Sequence, residues 1–311
     1  MKANILTLAI TLTVGIILTG SLLMPVITDA TKDPAVLDVV IIDGQSNAEY
    51  AGGYANATEL NANYTEAPYT NLYYYGHPWG TPNINDSYTT YEVHNMYANG
   101  AYTLGGYGPA LANTIAHRDG HDVYYVSFGV GGKSIAELLP GTTAGTWGFG
   151  ILDAALAAMP TGYDKINYVG VGWAQGEADK TMAVDTYKGY FETLQAAFAE
   201  RGFNEIYIIE TRETYGGNAT IAQQELIDSV PHVHMGATIQ ETFVVGDGNL
   251  IDSDPVHYSQ KGRIAIAIQL GETVALPTYD TVKLELLYVI PIIVIIGLVV
   301  FATKAMVSKY D

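Results

Sequence analysis

Short apolar runs that end in glycine and polar residues recur along the middle of the chain and set its architecture. Residues 37–47 read Leu-Asp-Val-Val-Ile-Ile-Asp-Gly-Gln-Ser-Asn. Val39 to Ile42 show no polar alternation, the pattern of a strand covered on both faces in a parallel sheet. Comparable runs predict strands over 37–43, 122–128, 166–173, 205–211 and 232–239. Between them, helices are predicted over 108–118, 150–159, 183–202, 220–229 and 259–275. Pro109 suits the first turn of its helix, and Gly120 ends it. Tyr187, Phe191, Leu194 and Phe198 recur at helical spacing and read as a core stripe. Strands alternating with helices predict one α/β domain around a parallel sheet with crossover connections.

One stretch breaks this alternation. From Tyr50 to Tyr107 the chain is rich in Tyr, Asn, Gly and Thr, with little helical or strand periodicity. A connection this long in a compact domain is usually functional or disordered. Its Tyr73-Tyr74-Tyr75 run and Trp79 suit stacking against sugar faces, so 50–107 is expected to form an ordered cap over Ser46. A glycosylated surface loop is the alternative. His77 and His94 lie here without metal-ligand spacing and are expected to pack or to face solvent. His232 and His234 alternate along a predicted strand and share a face, but no third ligand is near in sequence.

The chain ends carry a different pattern. Residues 5–27 are almost wholly apolar and follow Lys2, which suits a signal peptide or an uncleaved anchor within 1–30. Residues 286–302 are apolar on every face and precede Lys304 and Lys309, predicting a transmembrane helix over 285–304 and a cytoplasmic tail over 305–311. The remainder, 31–284, is enough for one well-buried core. Lysines outside both segments put both termini in the cytoplasm and the domain outside the cell.

Charge and composition narrow the partners. The net charge of −18 disfavours nucleic acid as a partner. There is no cysteine, so no disulfide contributes to stability. Asn-x-Ser/Thr sequons begin at Asn56, Asn63, Asn85 and Asn218, consistent with an exported glycoprotein.

Four segments carry candidate chemistry. Gly44 lets the chain turn sharply after the first strand and leaves the Ser46 hydroxyl at the carboxyl end of the sheet, where open α/β sheets bind ligands. Asp254 stands three residues before His257 in Asp-Pro-Val-His. Serine hydrolysis needs an imidazole to take the hydroxyl proton and a carboxylate to fix the ring tautomer. Residues 173–179, Trp-Ala-Gln-Gly-Glu-Ala-Asp, bring Gln175, a side-chain donor suited to an oxyanion. Gly129-Val-Gly-Gly-Lys-Ser134 is a glycine-rich turn after a strand; it lacks the phosphate-loop spacing, and its N–H groups suit the same oxyanion.

Gly44-Gln-Ser-Asn47, Gly131-Gly132, Trp173-x-Gln-Gly-Glu-x-Asp179 and Asp254-x-x-His257 occur in the order seen in SGNH hydrolases. The chain resembles that superfamily over roughly residues 36–275, and within it the branch of sialate O-acetylesterases and carbohydrate acetylesterases. The resemblance implies a three-layer α/β/α flavodoxin-like domain with a parallel sheet. It implies that Ser46 attacks the ester carbonyl, that His257 is the general base and that Asp254 orients it. The oxyanion donors would be the N–H groups of Ser46 and of Gly132 (or Gly131) and the side chain of Gln175. Gln45, Asn47, Glu177 and Asp179 would support these turns. Ala48 stands where the family often has methionine and Ala174 where a polar or aromatic residue is common, departures that bear on the acyl pocket. The expected protein is a membrane-anchored extracellular serine esterase that removes O-acetyl groups from carbohydrate, with no metal or organic cofactor. The alternatives are a surface glycan-binding or adhesion module on the same scaffold and a general carboxylesterase, for which a more aliphatic cap would be expected.

Overall fold

The computed structural model describes residues 35–48, 70–77, 81–85, 90–98, 101–102, 104–251 and 254–274. The first half contains β1 (Val36–Gly44), β2 (Leu72–Gly76), β3 (Glu92–Asn95), β4 (Tyr97–Ala98), β5 (Ala101–Tyr102), α1 (Gly108–Asp119), β6 (Asp122–Ser127) and α2 (Thr143–Ala157). Then follow β7 (Lys165–Ala174), α3 (Val184–Ala199), β8 (Ile206–Ile209), α4 (Glu213–Gly216), α5 (Asn218–Ser229) and β9 (Val233–Ala237). Last come β10 (Leu250–Ile251), β11 (Asp254–Tyr258) and α6 (Gln260–Thr273).

Seven strands form one sheet in the order β3-β2-β6-β1-β7-β8-β9. All neighbours are parallel except β2 and β3, which run antiparallel. Without β2 and β3, the remaining strands follow the flavodoxin-like 2-1-3-4-5 order, whose switch point lies at the central strand β1. Side chains of β1 alternate between two cores, as strand geometry requires. Val40 and Ile42 pack with Leu111 and Ile115 of α1 and Ile266 and Leu270 of α6. Val39 and Ile41 pack with Leu152 of α2, Phe191 of α3 and Leu226 of α5. Helices therefore cover both faces, giving the three layers expected.

Three expectations are corrected. The sheet is mostly, not wholly, parallel, because β3 closes one edge in the opposite sense. The run Tyr73-Tyr74-Tyr75 is not a stacking surface for sugar: it lies in β2, an inner strand, with Tyr74 and Tyr75 buried in opposite cores and Tyr73 packed against the second. Helix α2 begins at Thr143, seven residues before the predicted start, because the Thr142 hydroxyl caps it by accepting from the Gly145 N–H at 3.0 Å.

Of the proposed cap, residues 50–69, 78–80 with Trp79, 86–89, 99–100 and 103 lie outside the described residues, as do both apolar terminal stretches, 5–27 and 286–302; the described part contributes β2, β3 and the β4–β5 ribbon. Among the described residues no helix is long and apolar enough to cross a membrane. Of the sequons, Asn56 and Asn63 lie outside the described residues. Asn218 does not suit a glycan in the folded chain, since its amide donates to the Met182 carbonyl at 3.0 Å and the Thr220 hydroxyl is buried against the Thr211 carbonyl.

Candidate active site

Three turns and one short strand converge at the carboxyl end of β1. The turn after β1 requires glycine first: Gly44 has φ +142°, and a Cβ there would lie 2.1 Å from the Ala174 carbonyl oxygen. That close approach lets the Gln45 N–H donate to the same carbonyl at 3.0 Å, tying the Ser46 turn to the end of β7. The turn after β7 has the same need. Gly176, φ +153°, has no room for a side chain against Thr211.

Asp254 and His257 lie on β11, a ribbon strand paired with β10, rather than in the turn that their spacing suggests. Ser46 Oγ stands 2.8 Å from His257 Nε2, and His257 Nδ1 stands 2.5 Å from Asp254 Oδ2. With the ring proton on Nδ1, the imidazole donates to Asp254 and Nε2 accepts from the Ser46 hydroxyl. Burial pushes the Asp254 carboxyl up, but bonds from His257 and from the Val256 N–H outweigh it and hold the group below its usual value. It therefore stays ionised at neutral pH beside the imidazole.

Asn47 joins the two halves. Its side-chain nitrogen donates to Glu177 Oε1 at 2.6 Å and to the Val256 carbonyl at 3.2 Å, while its oxygen accepts from the Tyr258 N–H at 3.3 Å. It thus grips the strand on both sides of His257. Burial raises the Glu177 carboxyl above its usual value, against the Asn47 bond and the nearby imidazole. Beneath the turn lies Arg263, a buried cation from α6. It donates to the carbonyls of Asn47 at 3.2 Å, Tyr258 at 3.3 Å and Ser46 at 3.5 Å. Sequence reasoning assigned Arg263 only to a helix; a lone cation near the start of that helix carries no further signal.

Gln175 is placed differently from the free donor expected. It is buried, and its side-chain nitrogen already meets three acceptors: Asp179 Oδ2, Gln45 Oε1 at 3.2 Å and the Lys133 carbonyl at 3.3 Å. Its own oxygen accepts from Tyr187 at 3.0 Å. No hydrogen bond joins it to Ser46 or Gly132 among the described residues. Gln45 accepts from the Ala178 N–H at 3.2 Å, and Asp179 from the Ile135 N–H at 2.7 Å. Gln45, Gln175 and Asp179 therefore lash together the turns after β1, β6 and β7. The N–H groups of Ser46, Gly131 and Gly132 donate to no acceptor among the described residues, and Gly132 turns at φ +70°.

Asp43, the residue before this turn, is a further buried carboxyl. Its partner is the Gly44 N–H at 2.7 Å, and it lines a narrow crevice with Phe128, Val130 and Phe149. Burial pushes it up to about 8. Between the usual carboxylate range and that value, the folded chain holds a proton that the unfolded chain has lost. Stability therefore falls as pH rises through this window, by about 1.4 kcal/mol per unit for a fully coupled group. Asp43→Asn is expected to flatten the slope. Urea midpoints of both proteins between about pH 5 and pH 8 check it, and parallel slopes would overturn it.

The other histidines stay apart from Ser46. His77 is buried and its carbonyl accepts from Tyr74 at 2.9 Å, and His94 packs against the Tyr74 ring. His232 and His234 both hydrogen-bond to Glu205, at 2.8 and 2.6 Å. Among the described residues no group of three or more His, Cys, Asp or Glu is arranged to hold a metal ion.

Comparison with known proteins adds a family to this geometry. A family model described as carbohydrate esterase, sialic acid-specific acetylesterase, matches residues 36–276. No curated protein matches in sequence. Among solved structures, the chain is similar to a carbohydrate acetylesterase from Xanthomonas citri, with 18% identity and a TM-score of 0.50. The match covers 75% of this chain and 54% of that one, so the chain spans about half the length of that protein. A protein from Arabidopsis thaliana matches with 16% identity and a TM-score of 0.48, over 78% of this chain and 98% of that one. At such identities the likeness to the Xanthomonas protein speaks for the fold alone.

Proposed function

The chain belongs to the sialic acid-specific acetylesterase family of carbohydrate esterases, and from that premise we propose that it is a serine esterase removing O-acetyl groups from carbohydrate. The observation that carries the reading is the continuous hydrogen-bonded path from Ser46 through His257 to Asp254. Ser46 Oγ attacks the acetyl carbonyl while His257 Nε2 takes its proton. Asp254 holds the ring by Nδ1 and stabilises the imidazolium. Collapse of the tetrahedral intermediate expels the sugar alkoxide, which takes the proton back from His257. Water, deprotonated by His257, then attacks the acetyl-enzyme and releases acetate.

The oxyanion falls to the backbone N–H groups of Ser46 and Gly132, with Gly131 as the neighbouring donor. Gln175 acts by fixing the Lys133 carbonyl, and with it the Gly131–Gly132 turn, against the Ser46 turn. Gln175→Ala is accordingly expected to lower turnover by about 10²-fold. It should also lower thermal stability, because Gln45 and Asp179 each lose one of two donors, at about 0.5–1.5 kcal/mol per bond. Turnover and melting temperature measured together decide the role: lost turnover at unchanged stability would make Gln175 a direct oxyanion donor instead.

The apolar stretches 5–27 and 286–302, with Lys2, Lys304 and Lys309 outside them, support a membrane-anchored protein whose domain faces outward. The test of the activity is labelling with a fluorophosphonate probe followed by peptide mapping. A single adduct on Ser46 is expected; a folded protein that takes no label would overturn the reading.

A further inference from the structure

A cleft of about 560 Å³ opens beside the Gly131–Gly132 turn. That size is within the roughly 300–1,000 Å³ of small-ligand sites. Its walls include Asn85, Val130, Gly131, Lys133, Glu137 and Thr143. The Val130 N–H donates to the Gly44 carbonyl at 3.0 Å, so the cleft adjoins the turn that carries Ser46. Gly131 in its wall is the neighbouring oxyanion donor proposed above, and the alcohol part of an ester is assigned to the cleft on that ground.

The charges in this cleft are already matched. Lys133 is the single cation among its described lining residues. Its ammonium lies 3.0 Å from Glu137 Oε1. Glu137 Oε2 is fixed in turn by the Ser134 N–H and hydroxyl, each at 3.0 Å. The Lys133 bond first, and then those from Ser134, hold the Glu137 carboxyl below its usual range, so that carboxyl stays ionised at neutral pH.

We propose that the cleft selects a neutral, hydroxyl-rich sugar over a sugar that bears a carboxylate, an inference that rests on the esterase reading above. Sugar hydroxyls can donate to Glu137 and accept from Lys133 without breaking the pair. A sugar carboxylate finds no unmatched cation among the described lining residues and must lie against Glu137, a repulsive element of the kind that creates specificity. The family description names sialic acid, which carries such a carboxylate, so this chain would depart from it.

The test compares kcat/KM for an O-acetylated neutral glycoside and for O-acetyl sialic acid, with an aryl acetate measured alongside. The neutral substrate should be favoured about fivefold or more, the scale of one exposed charge pair. In Glu137→Gln the amide still accepts from the Ser134 N–H, but Lys133 is freed. The preference should then shift toward the acidic sugar by about fivefold. Adding Lys133→Ala to that variant should abolish the shift, since the freed ammonium is its cause. Equal or better turnover of O-acetyl sialic acid by the wild type would overturn the proposal, as would a Glu137→Gln variant with an unmoved ratio. Hydrolysis of the aryl acetate with neither sugar accepted would overturn it while leaving the esterase intact. A wild type inert toward the aryl acetate as well would remove the esterase reading itself.

Discussion

Ser46→Ala is expected to lower aryl acetate turnover by about 10⁴–10⁶-fold, the loss typical when the nucleophile of a hydrolytic triad is removed. The residual rate would come from binding and from the oxyanion donors, neither of which needs the hydroxyl. Stability should change little. The Ser46 side chain is only partly buried, and its hydroxyl makes one bond, to His257. The turn itself is held by the Gln45 N–H, by Asn47 and by Arg263, none of which touches Oγ. A change within about 0.5 kcal/mol is therefore expected. Initial rates, probe labelling and a denaturation curve on the same preparation separate the two effects. Turnover within about tenfold of the wild type, with the fold intact, would remove Ser46 from the chemistry.

The parallel part of the sheet was legible because burial on both faces leaves a plain apolar signature, as in Val39 to Ile42. Strand β2 was not, although it is largely buried as well. Its Leu-Tyr-Tyr-Tyr-Gly sequence reads as amphipathic, since each tyrosine presents both a ring and a hydroxyl. Only the sheet shows that the rings of Tyr74 and Tyr75 go to opposite cores. The first two turns of helix α2 hid for a related reason. Three glycines, Gly145, Gly148 and Gly150, weaken its periodicity, yet at Gly145 and Gly148 the approach of Leu139 and Phe128 leaves little or no room for a Cβ.

The candidate site divides the same way. Ser46, Asp254 and His257 were legible as residue types at telling spacings, and their contact needed only that the chain return to the same sheet edge. What positions them was much less so. Gln175 looked like a donor awaiting an oxyanion, because sequence shows the amide but not the Asp179, Gln45 and Lys133 oxygens that occupy it. Arg263 offered no cue, since its role depends on carbonyls from Tyr258 nearby and from Ser46 and Asn47 in the distant first half of the chain. Reactive groups are chosen by chemistry and can be read singly. Their supports are chosen by geometry and can be read only in the fold.

The second large effect is expected at Asp254. Asp254→Asn keeps the size of the side chain and leaves an oxygen for the Val256 N–H, which now donates to Oδ1 at 3.0 Å. It removes the acceptor that holds the His257 Nδ1 proton, and an amide N–H in its place favours the opposite ring tautomer. Nε2 would then carry the proton and could not take one from Ser46. Turnover is expected to fall by about 10⁴-fold at neutral pH. The carboxylate also contributes to stability through its lowered pKa. That contribution is present above the usual carboxylate range and is lost as pH falls through the lowered value, so the variant should lose part of the wild-type stability at neutral pH and little of it in acid. Because Ser46, His257 and Asp254 would act as one unit, the losses should not add: Ser46→Ala with Asp254→Asn is expected to be no slower than Ser46→Ala alone. Rates of the two single variants and the double variant form the decisive cycle. Additive losses would mean that Asp254 contributes by a route that does not pass through Ser46 and His257.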